Sequence, residues 1–241
     1  MAVKRSQSAG RMLQVFEAVA AQQPVGVSAL ARKLDADKSA VQRDLMTLAD
    51  AGWIRTAPGQ LGQWELTPRI LTLAHTPHSQ NELRLRVRPA LEALRAETGE
   101  TAYLTVPDGD QFVVIDALES PQALRLVTPV GLVIPARGSA TVRALLPYLC
   151  PEEQQVLLGG PPDAAALEQF AAVRKRGYAL NDGAIVPEAI ALASAVLGAD
   201  ERPIGAIVLT GPAERIAPER IPVLGSRLAA ATRALAPAVA A

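Results

Sequence analysis

Two short amphipathic segments separated by only three residues set the tightest constraint on this chain. Leu30, Ala31 and Leu34 give the first an apolar side, Val41, Leu45 and Leu48 repeat at i, i+4 and i+7 in the second, and Asp35, Ala36 and Asp37 lie between them. Neither segment is long enough to hold a helix unaided, so the spacing predicts two helices that stabilise each other across a tight turn, the helix-turn-helix arrangement. Ser28 is expected to cap the first helix, and Asp37 or Lys38 to open the second. A preceding helix carrying Leu13, Phe16, Val19 and Ala20 stops at Gln22-Gln23-Pro24. After Ala51-Gly52 the β-like runs 53–56 and 63–66 flank Pro58-Gly59-Gln60-Leu61-Gly62, which reads as a wing.

Burying the stripe of the second helix leaves Ser39, Gln42, Arg43 and Met46 on its opposite face. Read as a DNA-binding element, this face assigns Gln42 and Arg43 to base edges and Lys38, Ser39 and Arg55 to phosphates, with Ser28 and Ala40 as further contacts. Charge permits it. The chain has no net charge, with Lys+Arg 24 against Asp+Glu 24, yet residues 1–74 hold nine basic and six acidic side chains, and the compensating acidic excess lies beyond them.

The rest of the chain reads as a connector and a second domain. Thr67-Pro68 can start a linker helix through Ile70, Leu71 and Leu73, which His75-Thr76-Pro77-His78 breaks. Leu83, Val87, Leu91 and Leu94 share one face of a further helix, bent at Pro89 and ended by Thr98-Gly99. Strands are expected at 101–106, 111–118, 123–128, 190–197 and 204–210, and helices at 138–149, 152–158, 163–176 and 218–235. Pro107-Asp108-Gly109-Asp110 supplies hairpin chemistry between the first two strands. The fold class is α+β: an N-terminal winged helix-turn-helix (1–68), a linker helix (69–80) and a C-terminal antiparallel sheet with helices on its faces (81–241).

Chemistry is conspicuous by absence. The sequence holds no phosphate-binding Gly-x-x-x-x-Gly-Lys, no dinucleotide Gly-x-Gly-x-x-Gly, no His-Glu-x-x-His and no Gly-x-Ser-x-Gly. Ser139 has Val142 where a serine–lysine pair needs Lys, and both histidines lie outside the second domain, which argues against a hydrolase. His75 and His78 have no further histidine to complete a zinc set, and the single Cys150 forms no internal disulfide, so no metal or cofactor is expected. The longest nearly apolar stretch, 189–199, is short of the roughly 18 to 20 residues that span a bilayer, and the N-terminus lacks a secretory apolar run, which points to a cytoplasmic protein with no membrane partner. One segment can receive an anion: Pro135-Ala136-Arg137-Gly138-Ser139-Ala140-Thr141 leads into a helix, whose free N–H groups and dipole favour negative charge, although Ser139 can equally be a plain cap.

The ordered segments Val27-Ser28-Ala29-Leu30-Ala31, 37–45 and Leu48-Ala49-Asp50-Ala51-Gly52-Trp53-Ile54 resemble the winged helix of the IclR-type bacterial transcriptional regulators. Trp64-Glu65-Leu66-Thr67-Pro68-Arg69, Thr98-Gly99-Glu100-Thr101, Arg125-Leu126-Val127 with Val130-Gly131, Arg176-Gly177-Tyr178-Ala179 and Gly205-Ala206-Ile207 with Gly211-Pro212 extend the resemblance over nearly the whole chain. It implies a homodimer, or a dimer of dimers, that binds double-stranded DNA at a pseudo-palindromic operator and carries a GAF-like domain for a small-molecule effector. Repression and activation both occur among such regulators. A protein-interaction or assembly module built on the winged helix is the alternative, with a hydrolase behind it.

The resemblance also implies an effector pocket on Leu126, Ser139, Ala140, Thr141, Asn181, Ala191, Val208 and Thr210. Here the sequence departs from the family pattern. Ala191 stands where a cysteine is frequent, Val208 and Thr210 where serines are frequent, and Asn181-Asp182-Gly183-Ala184 lacks the usual glutamate pair. A less polar pocket favours an aromatic or longer apolar carboxylate, with Ala140 and Thr141 N–H groups at its charged end. Arg137 either covers the anion or points away from it, into solvent or toward another subunit.

Overall fold

A computed structural model describes residues 6–74 and 79–239. The chain divides into two compact units, Met1–Pro77 and His78–Ala241. His75, Pro77 and His78, the expected break after the linker helix, lie outside the described residues.

The N-terminal unit runs α1 (Gln7–Gln22), β1 (Val25–Gly26), α2 (Val27–Lys33), α3 (Lys38–Asp50), β2 (Ile54–Thr56), β3 (Gln63–Leu66) and α4 (Arg69–Ala74), with a three-stranded sheet in the order β1-β3-β2. Val15, Val19, Leu30, Val41, Leu45 and Trp64 form its core. Leu13 is not among them. It is 62% exposed, because the buried stripe of α1 is phased on Val15, Ala18 and Val19. Ser28 does not cap α2 either: β1 stays extended against β3 up to Gly26, the helix starts at once, and Ser28 becomes its exposed second residue. Asp37 does open α3, its side chain accepting from Ala40 N–H at 3.0 Å. The carboxylate of Asp44, 5% exposed on the inner side of α3, accepts from Arg11 Nε at 2.7 Å and ties α3 to α1.

The second unit runs α5 (Ser79–Thr98), β4 (Thr101–Asp108), β5 (Gln111–Leu118), β6 (Val133–Pro135), α6 (Ala140–Leu145), α7 (Pro151–Leu158), α8 (Ala164–Arg176), β7 (Ala179–Asp182), β8 (Ala189–Leu197), β9 (Pro203–Pro212) and α9 (Ile221–Val239). Its six strands make one antiparallel sheet in the order β6-β5-β4-β9-β8-β7. Alternation decides which face each side chain takes. Leu104, Leu192, Ile207 and Leu209 pack against Val87 and Leu91 of α5 and Leu228 of α9. On the opposite face Tyr103, Ala193 and Val208 meet Ala140 and Ala144 of α6 and Val173 of α8. Among the described residues no helix is long and apolar enough to cross a membrane.

Three expectations need correction. Residues 123–128 are not a strand: side chains take the segment's carbonyls, Thr101 Oγ1 donating to Leu126 O at 2.9 Å and Arg215 Nη1 to Leu124 O at 2.7 Å, and the ladder passes to Val133–Pro135. A short edge strand, β7, stands where the sequence reading had only a motif, pairing Asn181 with Ala191. The helix expected over 138–149 ends at Leu145 and tightens into a 3-10 turn over Leu146–Tyr148, consistent with Pro147, which has no N–H to continue the α-ladder.

Two close approaches fix α9 and the end of β9. Glu100, 2% exposed, receives Arg215 Nε at 2.9 Å and Nη2 at 2.7 Å, and a Cβ on Gly211 would stand 2.4 Å from its Oε2. The Tyr178 ring lies against the backbone of Gly225 in α9, its Cζ 2.4 Å from where a Cβ would be. Gly225→Ala therefore overpacks a site with no room to give, and we expect a loss of about 1–3 kcal/mol. Urea unfolding of the full chain checks this; a midpoint equal to the parent's would mean that Tyr178 moves aside freely.

Candidate nucleic-acid interface and effector cavity

The outer face of α3 carries Lys38, Ser39, Gln42, Arg43 and Met46, all exposed, while Val41, Asp44, Leu45 and Leu48 are buried. Ala40 departs from the expected reading face: it is 7% exposed, its side chain turned into the unit, so it has no surface to offer a base. Hydrogen bonds order the basic face. Ser39 Oγ donates to Asp37 Oδ1 at 2.5 Å and accepts from Arg43 Nη1 at 3.3 Å, so the cap and the first turn engage the guanidinium of Arg43. Ser28 and Arg55 are exposed, but Arg55 Nε donates to Glu65 Oε1 at 2.8 Å, which offsets part of its charge across the β2–β3 hairpin. At the wing tip Leu61 is fully exposed.

Arg69 lies over the Trp53 ring at 4.7 Å and donates to Ala51 O, so the first turn of α4 is stapled to the end of α3. The Ser39 hydroxyl, with the Ala40 N–H, holds the Asp37 carboxyl below the usual carboxylate range.

In the second unit a cavity of 150 Å³ opens at the start of α6. Leu126, Ser139, Ala140, Thr141, Asn181, Ala191 and Thr210 all line it, with Tyr103, Ile134, Ile185 and Val186. The sheet register brings them together, because Asn181, Ala191, Thr210 and Thr101 occupy one cross-strand row over β7, β8, β9 and β4. Val208 is a correction. It lies on the same sheet face one step further along, fully buried beneath α6, and does not reach the cavity. Arg137 does not line it either.

The polar groups of the cavity are already ordered. Ser139 Oγ accepts from Val142 N–H at 3.2 Å, and the first helical bond of α6 is Arg143 N–H to Ser139 O at 3.3 Å, which leaves the N–H groups of Ala140 and Thr141 ahead of the ladder. Thr210 Oγ1 donates to Ile190 O at 3.0 Å, and Asn181 Oδ1 accepts from Ala184 N–H at 2.9 Å. Tyr103 is the residue that the sequence reading missed. It is 7% exposed and lines the cavity, and among the described residues its hydroxyl has no hydrogen-bond partner. Burial raises its pKa, so it stands in the cavity wall as a neutral phenol. The signal was present in the alternation of Thr101, Tyr103 and Thr105, which puts all three on the α6 side of the sheet.

Two family models match the chain: the IclR helix-turn-helix domain over residues 8–58 and the bacterial transcriptional regulator IclR C-terminal domain over residues 75–237. The acetate operon repressor of Salmonella typhimurium is 27% identical over 94% of this chain and 88% of its own length, and the transcriptional repressor IclR of Escherichia coli matches with the same figures. Among solved structures, HmgR of Pseudomonas aeruginosa superposes with a TM-score of 0.78 at 25% identity, covering 98% of this chain and 100% of its own. An IclR homologue from Microbacterium hydrocarbonoxydans, solved with 4-hydroxybenzoate, shares the fold with a TM-score of 0.75 at 18% identity, over 95% of this chain and 100% of its own.

The lowered Asp37 value has a testable sign. A depressed carboxyl contributes its full share above the unfolded value of about 3.9 and loses it as the pH falls through the lower folded value. Helicity followed by circular dichroism from pH 5 to 2 should fall less steeply in that window for Asp37→Asn, which keeps a capping oxygen and does not titrate. A curve identical to the parent's would show that the cap contributes nothing to acid sensitivity.

Proposed function

Because this chain belongs to the IclR family of bacterial transcriptional regulators, with a helix-turn-helix domain and a C-terminal effector-binding domain, we propose that α3 reads an operator and that the cavity at α6 senses a small apolar or aromatic acid. Residues 1–68 then form the DNA-binding domain, 69–80 the linker and 81–241 the effector domain. Two protomers present their α3 helices to successive major grooves of a pseudo-palindromic site, about one helical turn apart, as a homodimer or as half of a dimer of dimers. Gln42 and Arg43 contact base edges, and Lys38, Ser39 and Arg55 contact phosphates. The exposure of Gln42 and Arg43 on the face opposite the buried stripe carries this half of the reading.

The effector half is carried by the cavity lining. A volume of 150 Å³ suits one small acid, since pockets for drug-sized ligands run to about 300–1,000 Å³. The acid's carboxylate lies against the Ala140 and Thr141 N–H groups, where the helix dipole favours negative charge without a fixed cation. Leu126, Ala191 and Ile134 cover its apolar body, and Tyr103, Thr210 and Asn181 orient it. The 4-hydroxybenzoate bound by the Microbacterium homologue is an acid of this kind, and it is the natural first probe. Effector binding changes operator affinity only as far as it favours one arrangement of the paired DNA-binding domains over another.

Arg43→Ala should remove about 1–3 kcal/mol of discrimination at one base step of each half-site, whereas Lys38→Ala should weaken binding evenly across sequences and reduce the salt slope by about one. Fluorescence anisotropy on DNA from upstream of the protein's own gene, at several salt concentrations, separates the two. Unchanged selectivity in Arg43→Ala would show that α3 is not the reader.

Ala191→Asp puts a carboxylate into the cavity and should abolish the effector response while leaving operator binding intact. Tyr103→Phe removes one hydrogen bond and should weaken effector affinity about 3- to 10-fold. Calorimetric titration with 4-hydroxybenzoate and related acids measures both; an unchanged midpoint in the two variants would locate the effector elsewhere.

A further inference from the structure

A second, larger cleft lies on the other side of α6. It encloses 530 Å³ between the outer face of α6, the facing side of α8, β7 and the strap of residues 136–138. Val142, Leu146, Phe170 and Val173 give it an apolar floor, and Arg137, Arg143 and Arg176 stand around it. Strand β7 borders both spaces: Asn181 lines the effector cavity, and Ala179, Leu180 and Asp182 line the cleft.

The arginines of the cleft belong with those of their unit that bond no carboxylate, such as Arg84, Arg95, Arg174 and Arg220. Arg88, Arg125, Arg202, Arg215 and Arg227 each reach a carboxylate within salt-bridge distance. Among the described residues Arg137, Arg143 and Arg176 form no ion pair, and Asp182 on the same cleft is beyond reach of all three. Two of them are held by single carbonyls, Arg143 Nη1 donating to Leu180 O at 2.8 Å and Arg176 Nε to Tyr178 O at 2.6 Å while its guanidinium lies over the Tyr178 ring. Arg137 has no such tether; its Nη2 rests against Gly159 at the end of α7, 2.7 Å from where a Cβ would be. Each guanidinium carries five N–H donors, so most of the donors around the cleft are uncommitted.

We propose that this cleft is a second ligand site, distinct from the effector cavity, and that it takes a small organic phosphate monoester with an apolar or aromatic body. Three guanidinium groups less the Asp182 carboxylate leave two positive charges, which match the charge of about −1.5 to −2 on a phosphate monoester near neutral pH. Guanidinium forks suit its oxygens in bidentate pairs, and the apolar floor accounts for the organic part. The volume falls within the range of small-molecule pockets, about 300–1,000 Å³.

The test titrates the full chain with phenyl phosphate, benzoate and phenol by calorimetry at constant ionic strength. In the Ala191→Asp background, where the effector cavity is blocked, phenyl phosphate should bind saturably and more tightly than benzoate, with phenol inert. The Arg137→Ala/Arg176→Ala double variant should lose at least tenfold in affinity, and Arg137→Ala alone should lose a smaller factor, since that side chain has no structural bond to lose. Ala191→Asp should leave phenyl phosphate binding unchanged, which keeps this site's test apart from that of the effector cavity. Absent binding, binding indifferent to both arginine variants, or binding lost in Ala191→Asp would each overturn the proposal. So would a change of oligomeric state in Arg137→Ala without any phosphate binding, because the cleft would then be an interface between copies of the chain.

Discussion

Everything in the second unit depends on the unequal covering of one antiparallel sheet. A sheet with two apolar faces must bury both. The face of Leu104, Leu192, Ile207 and Leu209 is closed by two long helices, α5 and α9. The other face is covered by the short α6, by α8 and by irregular chain, and both cavities occur where that cover is incomplete. Small residues keep the gap open. Ala191, Ala193 and Ala195 line one side of β8 on that face, where larger side chains would meet α6.

Buried polar groups then fix how the helices sit. Glu100 with Arg215 and Asp116 with Arg88 each combine a nearly inaccessible carboxylate with a partly exposed arginine. Desolvating such a carboxylate is costly, and the pair stabilises the fold only as far as geometry recovers that cost, so these contacts specify arrangement more than they add stability. Arg88 belongs to α5 and Asp116 to β5, so one pair locks the helix to the sheet; Arg215 binds the start of β4 from the turn before α9. In the N-terminal unit Arg11 and Asp44 play the same part between α1 and α3.

How much was legible in the sequence follows from how local each signal is. The turn between α2 and α3, the Asp37 cap, the wing and the two central hairpin strands were readable because periodicity and turn chemistry act over a few residues. Most of the cavity lining was reached through family resemblance and not through periodicity. What failed was set by partners distant in the chain. Residues 123–128 look like a strand until Thr101 and Arg215 take their carbonyls, and Ser28 looks like a cap until β3 draws Gly26 into an extended pair. Val208 and Thr210 share a sheet face, and only the position of α6 decides that one is core and the other wall. Tyr103 was overlooked because a tyrosine in an apolar strand reads as core, and its place in a cavity wall is visible only once the space beside it is known.

The two spaces beside α6 share strand β7, and this shapes how such a protein can evolve. Point substitutions on β7 can retune either space independently, since Asn181 lines only the smaller cavity and Ala179, Leu180 and Asp182 only the cleft. A single inserted or deleted residue is a different matter: it would slide the strand by one position, put Leu180 or Asp182 in place of Asn181 on the α6 face and send Asn181 to the face packed by α5 and α9, so that the smaller cavity loses its amide and the apolar core receives it at once. The edge strand is therefore free to vary in composition and bound in length. Changes of ligand in this lineage should accumulate through replacements in β7, and insertions should be confined to the loops on either side of it.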